Sequence, residues 1–313
     1  MDIGPKGWQT LRQLRQGFLV DKAGIDDYWK SEVTVRLYHQ TLGQRILWKW
    51  QAVWDKLDEE RPNILENKSV RVLDWGCGSG IASTSLLENA KRRKAILALD
   101  LFDRSRIATA FAKKHLQEQF QVAANITTEP ANQYDLILFS HVLNELDDIG
   151  FKKVVATAKQ SKLFVWVEPG TKLAATRLAA LRNELAIEYE ALAPCTHQEK
   201  CPLTETHGHD WCHFFAKPPS AVSQSAFWRQ YHDEMGIDSQ RLPLSFLVMR
   251  RKASDSLAMS EEKTRIVGNM RFNKAGVQIL GCSSSGVNSQ LIAKRSAKDT
   301  LKSLKKKPFA PCI

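Results

Sequence analysis

The segment from Val70 to Gly80, VRVLDWGCGSG, constrains the fold of this chain more than any other. It is a short apolar run that ends in Asp74 and is followed by glycines at positions 76, 78 and 80. Glycines in this arrangement let a strand turn sharply into a helix and leave bare main chain for a ligand. A dinucleotide-binding G-x-G-x-x-G loop is excluded, because Ile81 stands at the position of its third glycine. The segment therefore predicts a nucleotide-binding α/β unit of another kind.

The spacing of these glycines resembles that of S-adenosylmethionine-dependent methyltransferases. A second apolar run, AILALD at residues 95–100, ends in an aspartate. In a parallel sheet this strand lies beside the first, so that a carboxylate at its end reaches the same crevice and can accept hydrogen bonds from both ribose hydroxyls. The competing interpretation treats both aspartates as ordinary residues of turns at strand ends. The predicted cofactor-binding residues are Asp74, Gly76, Gly78, Gly80 and Asp100.

Strand-like and helix-like segments alternate through the first half of the chain. This alternation predicts an α/β fold with a parallel, doubly wound, Rossmann-like sheet, and the resemblance of the glycine loop implies the methyltransferase type of that fold. A helix is predicted at 171–192, where leucines recur at helical spacing. The strands of the sheet are predicted at 70–74, 95–100, 120–124, 134–139 and 162–167, and later antiparallel strands at 245–251, 264–272, 277–282 and 287–295.

Composition along the chain suggests five parts. They are an N-terminal helical region at 1–68, a methyltransferase-like domain at 69–192, a Cys/His-rich metal-binding insertion at 193–219, the remaining strands with a small β extension at 220–295, and a basic tail at 296–313.

The segment PCTHQEKCPLTETHGHDWCHFF at 194–215 holds Cys195, Cys201 and Cys212. Thiols this close together in a polar loop indicate thiolate ligation of a soft metal. Their C-x5-C-x10-C spacing is unusual for a zinc knuckle, and Cys282, which follows an apolar run, is the best fourth ligand. Widely spaced cysteines suit a [4Fe–4S] cluster, while a Cys3His zinc site and no metal at all remain open. The histidines of the segment are His197, His207, His209 and His213.

The chain is strongly basic, with a formal net charge of +11 and a pI near 9.4. From Val287 to Ile313 there are seven Lys or Arg residues and one acid, Asp299. This balance indicates an anionic partner, and nucleic acid fits best, although a solvated tail is the plain alternative. We expect no membrane span and no secretion, and therefore a bacterial cytoplasmic or mitochondrial matrix protein. The residues expected to bind RNA phosphates, besides the tail, are Arg250, Arg251, Lys252, Arg265 and Arg271.

Taken together, these motifs resemble a family of methyltransferase-like proteins that assemble the mitochondrial small ribosomal subunit, with bacterial relatives described as predicted rRNA methylases. The resemblance implies S-adenosylmethionine binding by the glycine loop and action on the small ribosomal subunit and its rRNA. It also implies a [4Fe–4S] cluster held by Cys195, Cys201, Cys212 and Cys282. The segments that carry it are LDWGCGSG (73–80), SHVLNEL (140–146), VEPG (167–170), APCTHQEKCP (193–202), DWCHF (210–214) and LGC (280–282).

No catalytic residue can be assigned from the sequence. The N-methylation motif [DNS]-P-P-[YFW] is absent after the fourth strand, where SHVLN stands instead, and the nearest acceptor-site candidates are Ser140, His141, Asn144 and Glu145. The expected function is therefore a methyltransferase-like protein of the small subunit, monomeric away from the ribosome. One alternative is a non-catalytic assembly factor with a structural metal site, and another is a small-molecule methyltransferase.

Overall fold

The structure is a computed structural model, and it describes residues 3–20, 28–62, 64–65, 69–204, 210–253, 263–306 and 308–313. The helices in these residues are α1 (Pro5–Val20), α2 (Glu32–His39), α3 (Leu42–Glu60), α4 (Ile81–Glu88), α5 (Ala90–Ala95), α6 (Arg106–Phe120), α7 (Asp148–Ala158), α8 (Lys172–Leu185), α9 (Ala221–Gln224), α10 (Ala226–Met235) and α11 (Lys298–Lys305). The strands are β1 (Val70–Trp75), β2 (Ile96–Phe102), β3 (Ala124–Ile126), β4 (Tyr134–Ser140), β5 (Ser161–Pro169), β6 (Tyr189–Ala193), β7 (Phe214–Ala216), β8 (Leu242–Arg251), β9 (Arg265–Phe272), β10 (Gly276–Ser283) and β11 (Gly286–Ala293). No helix of the described residues is long and apolar enough to cross a membrane.

The chain divides into two compact units, Met1–Trp166 with Ala216–Leu242, and Val167–Phe215 with Pro243–Ile313. In the first unit, β1 lies between β2 and β4, and β3 lies outside β2; these pairs are parallel. The carboxyl ends of β1, β2 and β4 therefore meet at one edge of the sheet, which is where ligands bind in sheets of this kind.

The N-terminal region is helical, as the sequence predicts, and its aromatic residues are part of the core. Trp50 and Trp54 of α3 are fully buried. Trp8 of α1 belongs to a buried hydrophobic cluster with Tyr231 of α10 and Phe111 of α6. Burying large rings of this kind contributes several kcal/mol of hydrophobic stabilisation. This cluster therefore holds α1, α6 and α10 together in the first unit.

The second unit differs from the sequence prediction at its first helix. The helix predicted at 171–192 ends at Leu185, and Tyr189–Ala193 form β6, which pairs antiparallel with β8. Glu190 accepts hydrogen bonds from Arg250 at 2.6 and 2.8 Å, across the two strands. Helical spacing was misleading here because all five residues of β6 are buried, so its apolar positions fit either periodicity. The chain therefore has an α/β fold with both parallel and antiparallel strand pairs.

The last three strands form a separate antiparallel sheet in the order β11-β10-β9, which we call the late sheet. The sequence predicts these strands, but it groups β8 with them, whereas β8 pairs with β6. Leu301 and Leu304 of α11 pack in one buried cluster with Val277 and Ile279 of β10. The start of the predicted basic tail is thus an amphipathic helix that covers one face of this sheet.

Candidate functional site

The glycine loop follows β1 and leads into α4. Gly76, Gly78 and Gly80 have positive φ angles of 69°, 49° and 79°, which residues with side chains rarely adopt. The Gly76 N–H donates to the carbonyl oxygen of Phe102 at 2.7 Å and fixes the loop against the end of β2. A β-carbon on Gly76 would lie 2.6 Å from Cγ1 of Val142. The turn therefore needs glycine for its dihedral angles and for its packing.

Gly78 is the open position of this loop. Among the residues that the structure describes, a β-carbon there would meet only the Trp29 ring, at 4.0 Å, whereas one on Gly80 would lie 3.1 Å from Cβ of Ala112. The Gly78 N–H donates to Oδ2 of Asp103 at 2.8 Å. Bare main chain and a carboxylate thus lie together at Gly78, which makes it the part of the loop that a ligand can approach most closely.

Asp74 lies beneath the loop and is fully buried. Its Oδ2 accepts hydrogen bonds from the N–H and the hydroxyl of Ser83, at 3.1 and 2.6 Å. Its Oδ1 has no hydrogen-bond partner among the residues that the structure describes. Burial raises the pKa of Asp74 to about 6, even though the Ser83 hydrogen bonds favour the ionised form. A buried acceptor of this kind is available to a donor that the protein itself does not supply.

The raised pKa of Asp74 predicts a pH-dependent stability. Because the folded chain holds this proton more tightly than the unfolded chain, the stabilisation is complete below about pH 4 and is lost as the pH rises through 6. We expect the free energy of unfolding of the wild type, relative to Asp74→Asn, to fall by about 2 kcal/mol between pH 4.5 and pH 7.5. Urea unfolding of both proteins at the two pH values measures this difference.

Asp135→Asn is the matched control for this experiment. Burial acts against ionisation there too, but hydrogen bonds from the Arg71 N–H and from Lys162 lower the pKa of Asp135 overall. Its titration therefore falls below the tested range, and Asp135→Asn should change stability equally at both pH values. A pH-independent difference between the wild type and Asp74→Asn would show that Asp74 is ionised throughout this range.

Asp100 and Asp103 occupy different surroundings at the end of β2. The Asp100 carboxylate accepts hydrogen bonds from the Tyr134 hydroxyl at 2.9 Å and from Nδ2 of Asn125 at 3.3 Å. Asp103 accepts instead from the glycine loop, and its Oδ1 also accepts from the Ser105 N–H at 2.9 Å. The sequence prediction ended the strand at residue 100, but β2 continues to Phe102, so Asp103 is the first residue after it. The signal that could have found Asp103 is its place two residues before Ser105, the N-cap of α6.

The end of β4 places Ser140 and His141 beside α3. The Ser140 hydroxyl accepts a hydrogen bond from Nε1 of Trp50 at 2.9 Å. His141 has a φ of 57°, a strained conformation for a residue with a side chain. Its Nε2 is buried without a hydrogen-bond partner among the described residues. Burial, helped by the charges of Lys49 and Arg45, holds the pKa of His141 well below its usual value, so its imidazole is neutral at physiological pH.

Glu145 is held by residues from two other segments. Both carboxylate oxygens accept from the Tyr28 hydroxyl, at 3.1 Å, and Arg104 lies 3.8 Å away. Arg104 also lies over the Tyr28 ring, 5.4 Å from its centroid. Asn144 precedes Glu145 in a short 3-10 turn. Among the predicted acceptor-site residues after β4, Glu145 is therefore held in place by Tyr28 and lies close to Arg104, the residue after Asp103.

The four cysteines predicted as metal ligands all lie in the second unit, and all are free thiols. Burial first, and then the nearby thiols of the other three, raise the pKa of Cys212 well above its ordinary value. Burial, followed by Cys195 and Cys201, raises the pKa of Cys282 to about 12. Cys282 lies in β10, remote in sequence, so the fold brings the late cysteine to the earlier three.

Two buried arginines adjoin these thiols, and both are only 3% exposed. Arg182 donates from Nε to Sγ of Cys195 at 3.2 Å and from Nη2 to the carbonyl oxygen of His197 at 2.8 Å. Arg265 pairs with Cys282 in the β9–β10 ladder and donates to the carbonyl oxygen of Pro194 at 2.7 Å. Buried positive charges are stabilised by nearby negative charge, and ionised thiols beside these arginines would add to it.

The histidines of the cysteine segment are arranged differently. Nε2 of His197 lies 3.8 Å from Sγ of Cys282, while the His213 ring stacks on Trp211 and bonds its carbonyl oxygen at 2.9 Å. His207 and His209 lie outside the described residues. Within the described part of the chain, no group of three or more His, Cys, Asp or Glu side chains is arranged as it stands to hold a metal ion.

Comparison with known proteins identifies one family. A sequence model of the mitochondrial small ribosomal subunit Rsm22 family matches residues 40–308. An uncharacterised phycocyanin operon protein W of Pseudanabaena tenuis is 32% identical over 78 residues, which are 25% of this chain and 67% of that protein. That relative has no described function, so the family match is the informative one.

Several solved structures share a loose likeness with the chain. The magnesium protoporphyrin IX methyltransferase of Synechocystis with bound SAM is 10% identical, covers 80% of this chain and 100% of its own, and has a TM-score of 0.41. The plantazolicin methyltransferase BpumL in complex with SAH is 11% identical, with coverages of 79% and 100% and a TM-score of 0.43. A putative RNA methyltransferase from Pyrococcus horikoshii is 9% identical, with coverages of 67% and 84% and a TM-score of 0.38. Likenesses at this level do not support a function.

Proposed function

Since this chain belongs to the mitochondrial small ribosomal subunit Rsm22 family, we propose that it is an S-adenosylmethionine-binding, methyltransferase-like protein that acts on the small ribosomal subunit and its rRNA. The observation that carries the cofactor proposal is the open main chain at Gly78 beside the Asp103 carboxylate. Its place of action is then the compartment that holds this ribosome, bacterial cytoplasm or mitochondrial matrix.

The residues of the loop fit the chemical groups of S-adenosylmethionine. The Asp74 Oδ1, buried without a partner in the described residues, can accept a hydrogen bond from the ammonium of the methionine part. Asp103 lies at Gly78 and can accept from the ribose hydroxyls, so we assign it the role that the sequence prediction gave to Asp100. When bound, the cofactor supplies an electrophilic methyl group.

The acceptor side of the site is the end of β4, with Ser140, His141, Asn144 and Glu145. His141 is the residue best suited to bind an acceptor, because it combines backbone strain with a buried, unpartnered Nε2. A neutral imidazole in this place can accept a proton or a hydrogen bond. Transfer itself would depend mainly on positioning and on exclusion of water.

We also propose that Cys195, Cys201, Cys212 and Cys282 hold a [4Fe–4S] cluster, with zinc as the alternative metal. Support comes from the mutual proximity of the thiols and from the two buried arginines beside them. Burial alone opposes ionisation of these thiols, whereas a bound metal favours the thiolate form. Four thiolates give a thiolate-ligated centre a net negative charge, which Arg182 and Arg265 would offset. Such a centre would fix the loops of this unit to the late sheet.

One experiment separates the enzyme from the non-catalytic assembly factor. The purified chain is titrated with S-adenosylmethionine by calorimetry and then incubated with immature small subunits and tritiated cofactor. Label in rRNA that is absent from the His141→Ala reaction establishes a methyltransferase. Saturable binding without label assigns the chain as an assembly factor, and no cofactor binding contradicts the proposal. A small-molecule methyltransferase would bind the cofactor but show no affinity for small subunits at low salt.

A further inference from the structure

The basic residues that the sequence marks for RNA are mostly engaged within the protein. Arg250 bonds Glu190, Arg251 forms an ion pair with Glu188 at 3.1 Å, and Arg265 is buried. The Lys252 ammonium donates to the carbonyl oxygen of Ala186 at 2.6 Å. Cations held in this way are poor candidates for phosphate binding. Of the predicted set this leaves Arg271, which is exposed on β9 without an acidic partner among the described residues, so most of the charge that could attract RNA must lie elsewhere.

A group of exposed cations begins at one end of the late sheet and continues along α11, and we call this group the basic end. Lys294 follows β11, and its N–H donates to the carbonyl oxygen of Ala275 at 2.8 Å, next to the β9–β10 turn. None of the group has an acidic partner among the residues that the structure describes. The basic end consists of Lys274, Lys294, Arg295, Lys298, Lys302 and Lys305.

Three of these lysines form a row along α11. Lys298, Lys302 and Lys305 are spaced i, i+4 and i+7, which places them on one face of the helix. Leu301 and Leu304 point to the sheet and are buried. The row therefore faces solvent and extends for roughly 10 Å along the axis, with a single acid, Asp299, in the helix. An extended row of unpaired cations suits the regularly spaced charges of a phosphate backbone.

An exposed aromatic ring lies at the same end of this sheet. Phe272 ends β9, is 40% exposed and pairs with Val277, which in turn pairs with Ile292 two residues before Lys294. Its ring has no aromatic neighbour in the described part of the chain. An exposed ring beside phosphate-binding cations is typical of proteins that stack unpaired bases. An acidic protein surface would use the charge but would leave the ring without a role, and an anionic membrane surface, which could use both, is distinguished by the vesicle arm of the test.

We propose that the basic end and Phe272 form a binding surface for single-stranded RNA, in which the lysine row of α11 binds phosphates and Phe272 stacks on an unpaired base. This inference rests on the proposed role at the small ribosomal subunit, and it assigns the contact to the late sheet of the second unit. It is separate from the glycine loop, which lies in the first unit.

The test measures binding of a fluorescent oligouridylate of roughly twelve nucleotides to the full chain over a series of salt concentrations. The triple variant Lys298→Gln, Lys302→Gln, Lys305→Gln should reduce the slope of log K against log salt by about 2, since single strands give roughly 0.7 per phosphate contact. Phe272→Ala should weaken binding about tenfold and leave the slope unchanged. Cofactor affinity should be that of the wild type in both variants.

Two controls keep this test decisive. Arg106→Gln, Lys152→Gln, Lys153→Gln removes the same charge from exposed positions of α6 and α7, and Leu291→Ala removes another exposed apolar side chain, 53% exposed. Equal losses in the variants and their controls would overturn the surface, as would tighter binding to a duplex or to anionic phospholipid vesicles than to oligouridylate. If the wild type binds small subunits and cofactor but not oligouridylate, the surface is wrong and the proposed function stands.

Discussion

Replacing Gly78 by alanine is expected to weaken S-adenosylmethionine binding at least tenfold, which corresponds to about 1.4 kcal/mol. No described residue blocks the added methyl group, because its nearest neighbour among them is the Trp29 ring at 4.0 Å. The methyl group would instead occupy the space that the cofactor needs against the bare main chain. Calorimetric titration with the cofactor and with S-adenosylhomocysteine measures the loss.

Gly236→Ala is the matched control for this prediction. Gly236 follows α10 with a φ of 60°, and an added β-carbon there would have no described atom within 4 Å. Both substitutions therefore carry a similar backbone strain of about 1 kcal/mol, and both should lower the free energy of unfolding by similar amounts. Only Gly78→Ala should lose cofactor affinity. If the two variants bind alike, the ligand does not lie at Gly78 and the cofactor proposal fails.

The second large effect is expected for Cys212→Ser. Burial and the nearby thiols of Cys195, Cys201 and Cys282 raise the pKa of Cys212. Its loss should therefore leave the proposed centre one ligand short. We expect the wild type, purified without air, to contain roughly four iron and four sulfide per chain, and the variant to lose most of both. Because metal binding and folding of such loops are coupled, stability should fall on the order of several kcal/mol. Metal analysis and thermal unfolding measure the two effects.

Cys77→Ser tests whether the effect is specific to the cluster. Cys77 is also a buried free thiol, 6% exposed, but it lies in the glycine loop of the first unit. Its replacement should leave the metal content unchanged. Wild-type metal content in Cys212→Ser, or equal loss in both variants, would refute the four-cysteine centre. About one zinc and no iron per wild-type chain would keep the four ligands and change the metal.

Local patterns predicted much of the first unit correctly. The strands at 70–74 and 134–139 coincide with β1 and β4 to within a residue, because buried parallel strands are continuous apolar runs. The glycine loop was equally readable, since its dihedral angles admit few other residues. The strand predicted at 95–100 ends two residues too early, because nothing local marks where a strand ends: LALDLFD remains apolar enough for two more residues of pairing with β1.

Contacts between distant segments were harder to predict. The partners of β6 and β8 lie 60 residues apart at Glu190 and Arg250, and no local periodicity encodes such a pairing. The same pairing decides that Arg250 and Arg251 are engaged in the protein, while lysines of α11 remain exposed. Charge counts alone could not separate the two groups.

The sequence by itself determined the α/β class, the glycine turn after β1 and the identity of the cysteines to consider, because each depends on residue types within one short segment. Only the tertiary structure decided that Asp103 accompanies Gly78, that Cys282 joins the three earlier thiols, and which cations stay unpaired. These outcomes depend on strand register and on pairings between remote segments, whose energies come from burial and cross-strand contacts that no single segment contains.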